Sequence, residues 1–75
     1  MPNVTLYRID QARHMLRFYH LDIQPDLFGN HCLVRKWGRI GTVGQTRSIP
    51  YPTENEAQAA SRKQQRTKER KGYAA

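Results

Sequence analysis

The chain has 75 residues, with 13 Lys and Arg against 6 Asp and Glu for a net charge of +7, which fits one small, strongly basic domain. Only about 60% of the unfolded surface is buried by a chain this short. Because hydrophobic residues make up just 37%, the core is expected to be thin, with little room for a deep, dry catalytic cavity. A single cysteine, Cys32, excludes an internal disulfide. Apolar runs of two or three residues fall far short of the roughly 20 needed to span a membrane. Met1-Pro2-Asn3 carries no secretory leader pattern, so a cytoplasmic protein is expected.

Val4 to Asp10 is rich in β-branched and aromatic residues and reads as a first strand. The polar stretch Gln11 to His14 reads as a connection. From Leu16 to Gln24 a second strand is expected, because Tyr19, Leu21 and Ile23 alternate with His20, Asp22 and Gln24. Pro25-Asp26 opens a turn and Gly29-Asn30 closes it, with Leu27 and Phe28 expected to fold back onto the sheet edge. His31 to Ile40 is the third strand, and the glycine-bracketed Gly41-Thr42-Val43-Gly44 is a hairpin turn. Gln45 to Ile49 is the fourth strand, ended by Pro50 and Pro52, since proline donates nothing to a ladder.

Thr53 with Glu56 three residues on forms a capping box that opens a helix running to about Lys71, with Gly72 as its stop. The inward stripe of that helix, Ala57, Ala60, Ser61, Gln64 and Thr67 or Lys68, is small and polar. Tyr73 is the available apolar anchor beyond the stop. The expected architecture is α+β: a small antiparallel four-stranded sheet with one C-terminal helix packed on it.

No catalytic constellation is visible. His14, His20 and His31 show no zinc-type spacing, and adjacent His31 and Cys32 point to opposite faces of a strand. No metal and no cofactor are expected. Five of the six carboxylates, Asp10, Asp22, Asp26, Glu54 and Glu56, read as turn and cap residues. Gly38, Gly41 and Gly44 lack the following Gly-Lys-Ser/Thr of a phosphate-binding loop.

Charge is concentrated late in the chain. Residues 62–71 hold Arg62, Lys63, Arg66, Lys68, Arg70 and Lys71 against Glu69 alone. A polyanion is the partner such a segment suits, nucleic acid first and an anionic membrane surface second; the alternative is a merely solvated helix end. A second cationic stretch is Arg35-Lys36-Trp37-Gly38-Arg39. On a strand Arg35, Trp37 and Arg39 share a face, which Arg47 on the partner strand would extend, and Gly38 leaves the far face open. Guanidinium groups hold phosphate bidentately and an indole stacks on sugar or base. Two roles for Trp37 stand side by side here, a stacking plane and a core plug.

Trp37-Gly38-Arg39-Ile40-Gly41-Thr42-Val43-Gly44-Gln45 resembles the signature of the WGR domain, and Phe18-Tyr19-His20-Leu21 and Lys71-Gly72-Tyr73 resemble further parts of it. The similarity covers roughly residues 4 to 73 of a single domain. That domain contacts nucleic acid in DNA-dependent poly(ADP-ribose) polymerases and occurs as small stand-alone bacterial proteins. The resemblance implies an antiparallel sheet crossed by one helix. It also implies packing of Trp37 against sugar at a DNA break, a bridging role for Arg39 and a phosphate contact from Lys68. It implies no ADP-ribosyl transfer.

The expected function is therefore non-enzymatic binding of nucleic acid, DNA before RNA, at ends, nicks or backbone without base specificity. Trp37, Arg39, Arg35, Lys36, Gly38, Arg47, Lys63 and Lys68 are the candidate contacts. The alternative is a protein–protein module docking through the Trp37/Arg39 face. No membrane partner is expected.

Overall fold

The computed structural model describes residues 3–75; Met1 and Pro2, from which the expectation of no leader was drawn, lie outside the described residues. Four antiparallel strands form one sheet in the order β1-β2-β3-β4, and a single helix follows. The strands are β1 (Val4–Asp10), β2 (Met15–Pro25), β3 (His31–Arg39) and β4 (Gln45–Tyr51), and the helix is α1 (Glu54–Arg70). Among the described residues no helix is long and apolar enough to cross a membrane.

Alternation decides which face is covered. Leu6 on β1, Tyr19, Leu21 and Ile23 on β2, and Leu33 on β3 point to the helix side and are buried, joined by Ala57 and Ser61 of α1. Full burial of each aliphatic side chain is worth roughly 1.5–3 kcal/mol. A chain this size has a total stability of about 4–11 kcal/mol, so no one of them is dispensable. Among the described residues no element covers the other face of the sheet. Tyr7, Ile9, Leu16 and Ile40 remain exposed there.

The helix begins as its sequence dictates. The Glu56 amide donates to Thr53 Oγ1 at 3.2 Å, and that hydroxyl donates to the Glu56 carboxylate at 3.0 Å. It closes in a paired motif: Gly72 N donates to Glu69 O and Tyr73 N to Lys68 O, with Gly72 at φ 97°. The chain then turns back along β1, where Tyr7 and Ala74 exchange two backbone hydrogen bonds of 2.7 and 2.8 Å. Tyr73 packs on the core, anchoring the end of the chain as its sequence position suggests.

Two expectations fail. Pro50 does not stop β4; it lies inside the strand, opposite Cys32. On an edge strand only alternate amides face the neighbour, so a proline at an outward position costs no ladder bond. Leu27 and Phe28 do not fold back, being 98% and 87% exposed. The Asp26 carboxylate holds the β2–β3 loop in another shape. It accepts from the amides of Asn30 (2.9 Å) and Phe28 (2.8 Å), from the Asn30 side chain (3.1 Å) and from the Cys32 thiol (3.8 Å). The Asn30 amide, then the Phe28 amide and the other donors, hold the Asp26 carboxyl below its ordinary value, against an opposing desolvation effect.

The β3–β4 turn depends on two glycines. Gly38 and Gly44 meet back to back on the bare face, under the ring of Phe18: a Cβ at Gly38 would lie 2.8 Å from the Gly44 Cα. Gly44 has φ 73°, and a Cβ there would run into the Trp37 carbonyl and come within 3.0 Å of Phe18 Cζ. Gly44→Ala is expected to lower the unfolding free energy by about 2 kcal/mol or more, through strain plus overpacking, as read from urea denaturation. A loss of only a few tenths would show that the turn adapts.

Candidate functional site

Register brings the arginines together. Arg8 stands opposite Arg17, Arg17 opposite Arg39, and Arg35 opposite Arg47. All five share the parity of Leu6, Tyr19 and Leu33, so all belong to the helix side of the sheet. Among the described residues the one ion pair is Arg13 with Asp10 at 3.7 Å, so none of these five is neutralised.

Trp37 stands between the rows, opposite Tyr19 on β2 and Gln45 on β4. It is half-buried, and both roles open at the sequence level are partly met. One side packs at the margin of the core, with its ring centroid 6.3 Å from that of Tyr19. The rest borders two open clefts. The larger, about 340 Å³, is lined by Arg13, Met15, Leu16, Arg17, Arg39 and Tyr73 among others. The smaller, about 290 Å³, lies beside α1 and is lined by Tyr19, Arg35, Arg47, Gln64 and Lys68.

The second cleft is a cationic pocket with aromatic walls. Lys68 Nζ sits 4.6 Å from the Tyr19 ring centroid and 5.5 Å from that of Tyr73. The Arg35 guanidinium carbon is 5.9 Å from the Trp37 ring. Ring faces attract these cations and partly offset their mutual repulsion. Tyr19 donates its hydroxyl to Gln64 Oε1 at 3.3 Å, which ties the pocket floor to the helix. The buried Nε of Arg35 has no hydrogen-bond partner among the described residues. Burial, and then Lys71, Arg35 and Arg17 nearby, push the Lys68 ammonium below its ordinary pKa.

Of the residues singled out from sequence, Trp37, Arg35, Arg39, Arg47 and Lys68 converge on these clefts. Lys36 does not: it is exposed on the bare face, one residue out of phase. Lys63 is exposed on the helix and borders neither cleft. Gly38 edges the larger cleft, but the approach that its missing side chain allows is made by Gly44 of the same chain. Sequence reading missed Arg8 and Arg17. The signal was present, because Arg17 continues the alternation of Tyr19, Leu21 and Ile23, and Arg8 that of Leu6. Among the described residues no cluster of three His, Cys, Asp or Glu could hold a metal ion.

A family model for the WGR domain matches residues 2–75. The chain belongs to the WGR domain family. WGR domains are associated with nucleic-acid binding in poly(ADP-ribose) polymerases. The chain is also 44% identical over 66 residues to "Uncharacterized protein y4dW" of Sinorhizobium fredii (strain NBRC 101917 / NGR234). The match covers 88% of this chain and 32% of that protein, so the chain spans about a third of its relative's length. No solved structure matches. In this WGR domain the signature tryptophan is the ridge between the two clefts, and the signature arginine borders the larger one.

The lowered Lys68 pKa has a defined sign. The unfolded chain holds that proton more tightly, so stability rises with pH between the folded value and the ordinary 10.5. A carbon-detected NMR titration of Lys68 is expected to give a midpoint below 10.5 that moves upward when a polyanion is added. A midpoint that ignores the polyanion would place Lys68 outside the contact surface.

Proposed function

We propose that this chain binds nucleic acid through the basic half of its helix-side face, gripping backbone phosphate without reading base sequence. The observation that carries the reading is the set of five arginines on one face, without an ion-pair partner among the described residues, around a half-buried Trp37. Arg35, Arg47 and Lys68 would neutralise phosphate in the smaller cleft, and Arg17 and Arg39 in the larger. Trp37 would present its free edge to an exposed sugar or an unstacked base. Such a ridge suits a duplex interrupted at an end or nick, where a sugar is uncovered. The arginines lie on the face of a four-stranded sheet rather than on a helix or two-stranded ribbon that fits a major groove, so backbone contacts and little sequence preference are expected.

The family association supports binding and lends nothing to ADP-ribosyl transfer; the reading is of a binding module rather than an enzyme. Like charges directly opposite on neighbouring strands destabilise a sheet. Three such arginine pairs are therefore held at a cost, which an anionic partner would relieve.

Anisotropy titrations of labelled blunt duplex, nicked duplex, single-stranded DNA and single-stranded RNA at two salt concentrations test the reading. Nicked or blunt duplex is expected to bind most tightly, with a log–log salt slope of about −0.9 per phosphate neutralised. Trp37→Ala is expected to weaken that binding about tenfold, within the roughly 1–3 kcal/mol of a stacking contact. No binding to any probe at low salt would overturn the proposal and favour the Trp37/Arg39 face as a protein-docking surface.

A paired measurement isolates the arginine rows. Arg47→Gln is expected to raise the unfolding free energy by about 0.2–1 kcal/mol, by removing a like-charge pair, while it weakens duplex binding. A variant less stable than the parent would show that Arg47 serves the fold instead.

A further inference from the structure

Among the described residues the most exposed large apolar side chains are adjacent, Leu27 at 98% and Phe28 at 87%, at the tip of the β2–β3 loop. They are not there because the loop is slack. Asp26 clamps the backbone of Phe28 and Asn30, and the Asp26 amide donates to Asn30 O at 3.1 Å. A fixed loop that holds two apolar side chains in water has the form of a docking knob.

The surroundings of the knob say what it fits. Residues 19–34 and 48–61 contain no Lys or Arg and four of the six carboxylates, Asp22, Asp26, Glu54 and Glu56. The row Pro25, His31, Tyr51 places the start of α1 at the same end of the sheet as the loop. The complementary surface is at the other end of the same molecule. The 340 Å³ cleft there has apolar walls in Met15, Trp37 and Tyr73, with Arg13, Arg17 and Arg39 around them. Knob and cleft lie at opposite ends of β2, in a molecule whose longest dimension is 45 Å.

We propose that the Leu27–Phe28 knob of one copy seats in the Arg17/Trp37/Arg39 cleft of the next, giving head-to-tail chains held by apolar contact and opposite charge. A contact between unlike surfaces is heterologous, so copies add head to tail, in an open series unless the rotation between them closes a ring. The association does not depend on nucleic-acid binding, but it uses one of the two clefts invoked there. Duplex DNA would then compete with the neighbouring copy.

Sedimentation equilibrium of the full chain under reducing conditions tests this. At low salt the weight-average mass is expected to climb with concentration above 8.8 kDa and to fall back on adding salt. Leu27→Ser with Phe28→Ser removes the knob, and Arg17→Glu removes the cleft charge; both alter exposed side chains, so both are expected to fold by circular dichroism. Each variant alone is expected to stay at 8.8 kDa, and an equal mixture is expected to form a one-to-one pair, because each supplies the half that the other lacks.

A wild-type chain that is monomeric throughout would overturn the proposal and leave the knob to a foreign partner. Association that survives in the knob variant would move the contact to the bare face around Ile9 and Phe18. Association that survives in Arg17→Glu would make it knob to knob; either result defeats the head-to-tail arrangement. Adding blunt duplex then separates the two readings. Dissolved chains agree with both, whereas chains untouched by DNA that binds no copy would remove the nucleic-acid reading alone.

Discussion

Positive charge held against itself shapes this small domain. Strand period and register together put Arg8, Arg17 and Arg39 in one row across the sheet and Arg35 with Arg47 in another. No carboxylate neutralises them among the described residues. The composition of the helix follows from this. An apolar stripe laid across those rows would desolvate guanidinium groups without partners, at a cost of several kcal/mol each. The stripe is instead apolar only at Ala57 and Ala60, over the core cluster. It becomes polar at Ser61, Gln64 and Lys68, where the sheet beneath becomes cationic.

Trp37 stands at the join between the two regimes. Toward β2 it extends the buried cluster through Tyr19, and toward the clefts it offers a ring edge flanked by Arg35. A smaller residue would leave the core open to the arginine rows, and a fully buried one would present no plane to a ligand. The aromatic chain from Trp37 through Tyr19 to Tyr73 also gives Lys68 a surface on which a charge can sit half out of water.

The four strands and the helix were legible because each carries a local rule. β2 alternates, Thr53 and Glu56 cap, and Gly72 ends the helix. Departures arose where a tertiary fact outweighed the local rule. Pro50 was a stop signal only until β4 proved to be an edge. Leu27 and Phe28 were expected inside because they are apolar, and nothing local announced that Asp26 would gather four donors and turn them out. The candidate site was legible in type and only partly in membership. Arg35, Trp37, Arg39 and Arg47 followed from period two. Lys36 shared their segment without sharing their face, and Arg8 and Arg17 sat on strands read for their core residues rather than for their charges.

Net charge alone understates the asymmetry. All 13 cations lie outside two stretches that hold four of the six carboxylates, so the chain has an acidic end and a basic body. A polyanion approaching in solution meets a field that both attracts and turns the molecule, presenting the Trp37 end and directing the Leu27–Phe28 end away. Screening shortens that field to about 8 Å at physiological ionic strength, well below the 45 Å length of the molecule. The two ends therefore act as electrostatically independent surfaces once a ligand is in contact. On the proposed reading one end would hold phosphate while the opposite charge at the far end stayed free for a different contact, so these 75 residues would carry two chemistries.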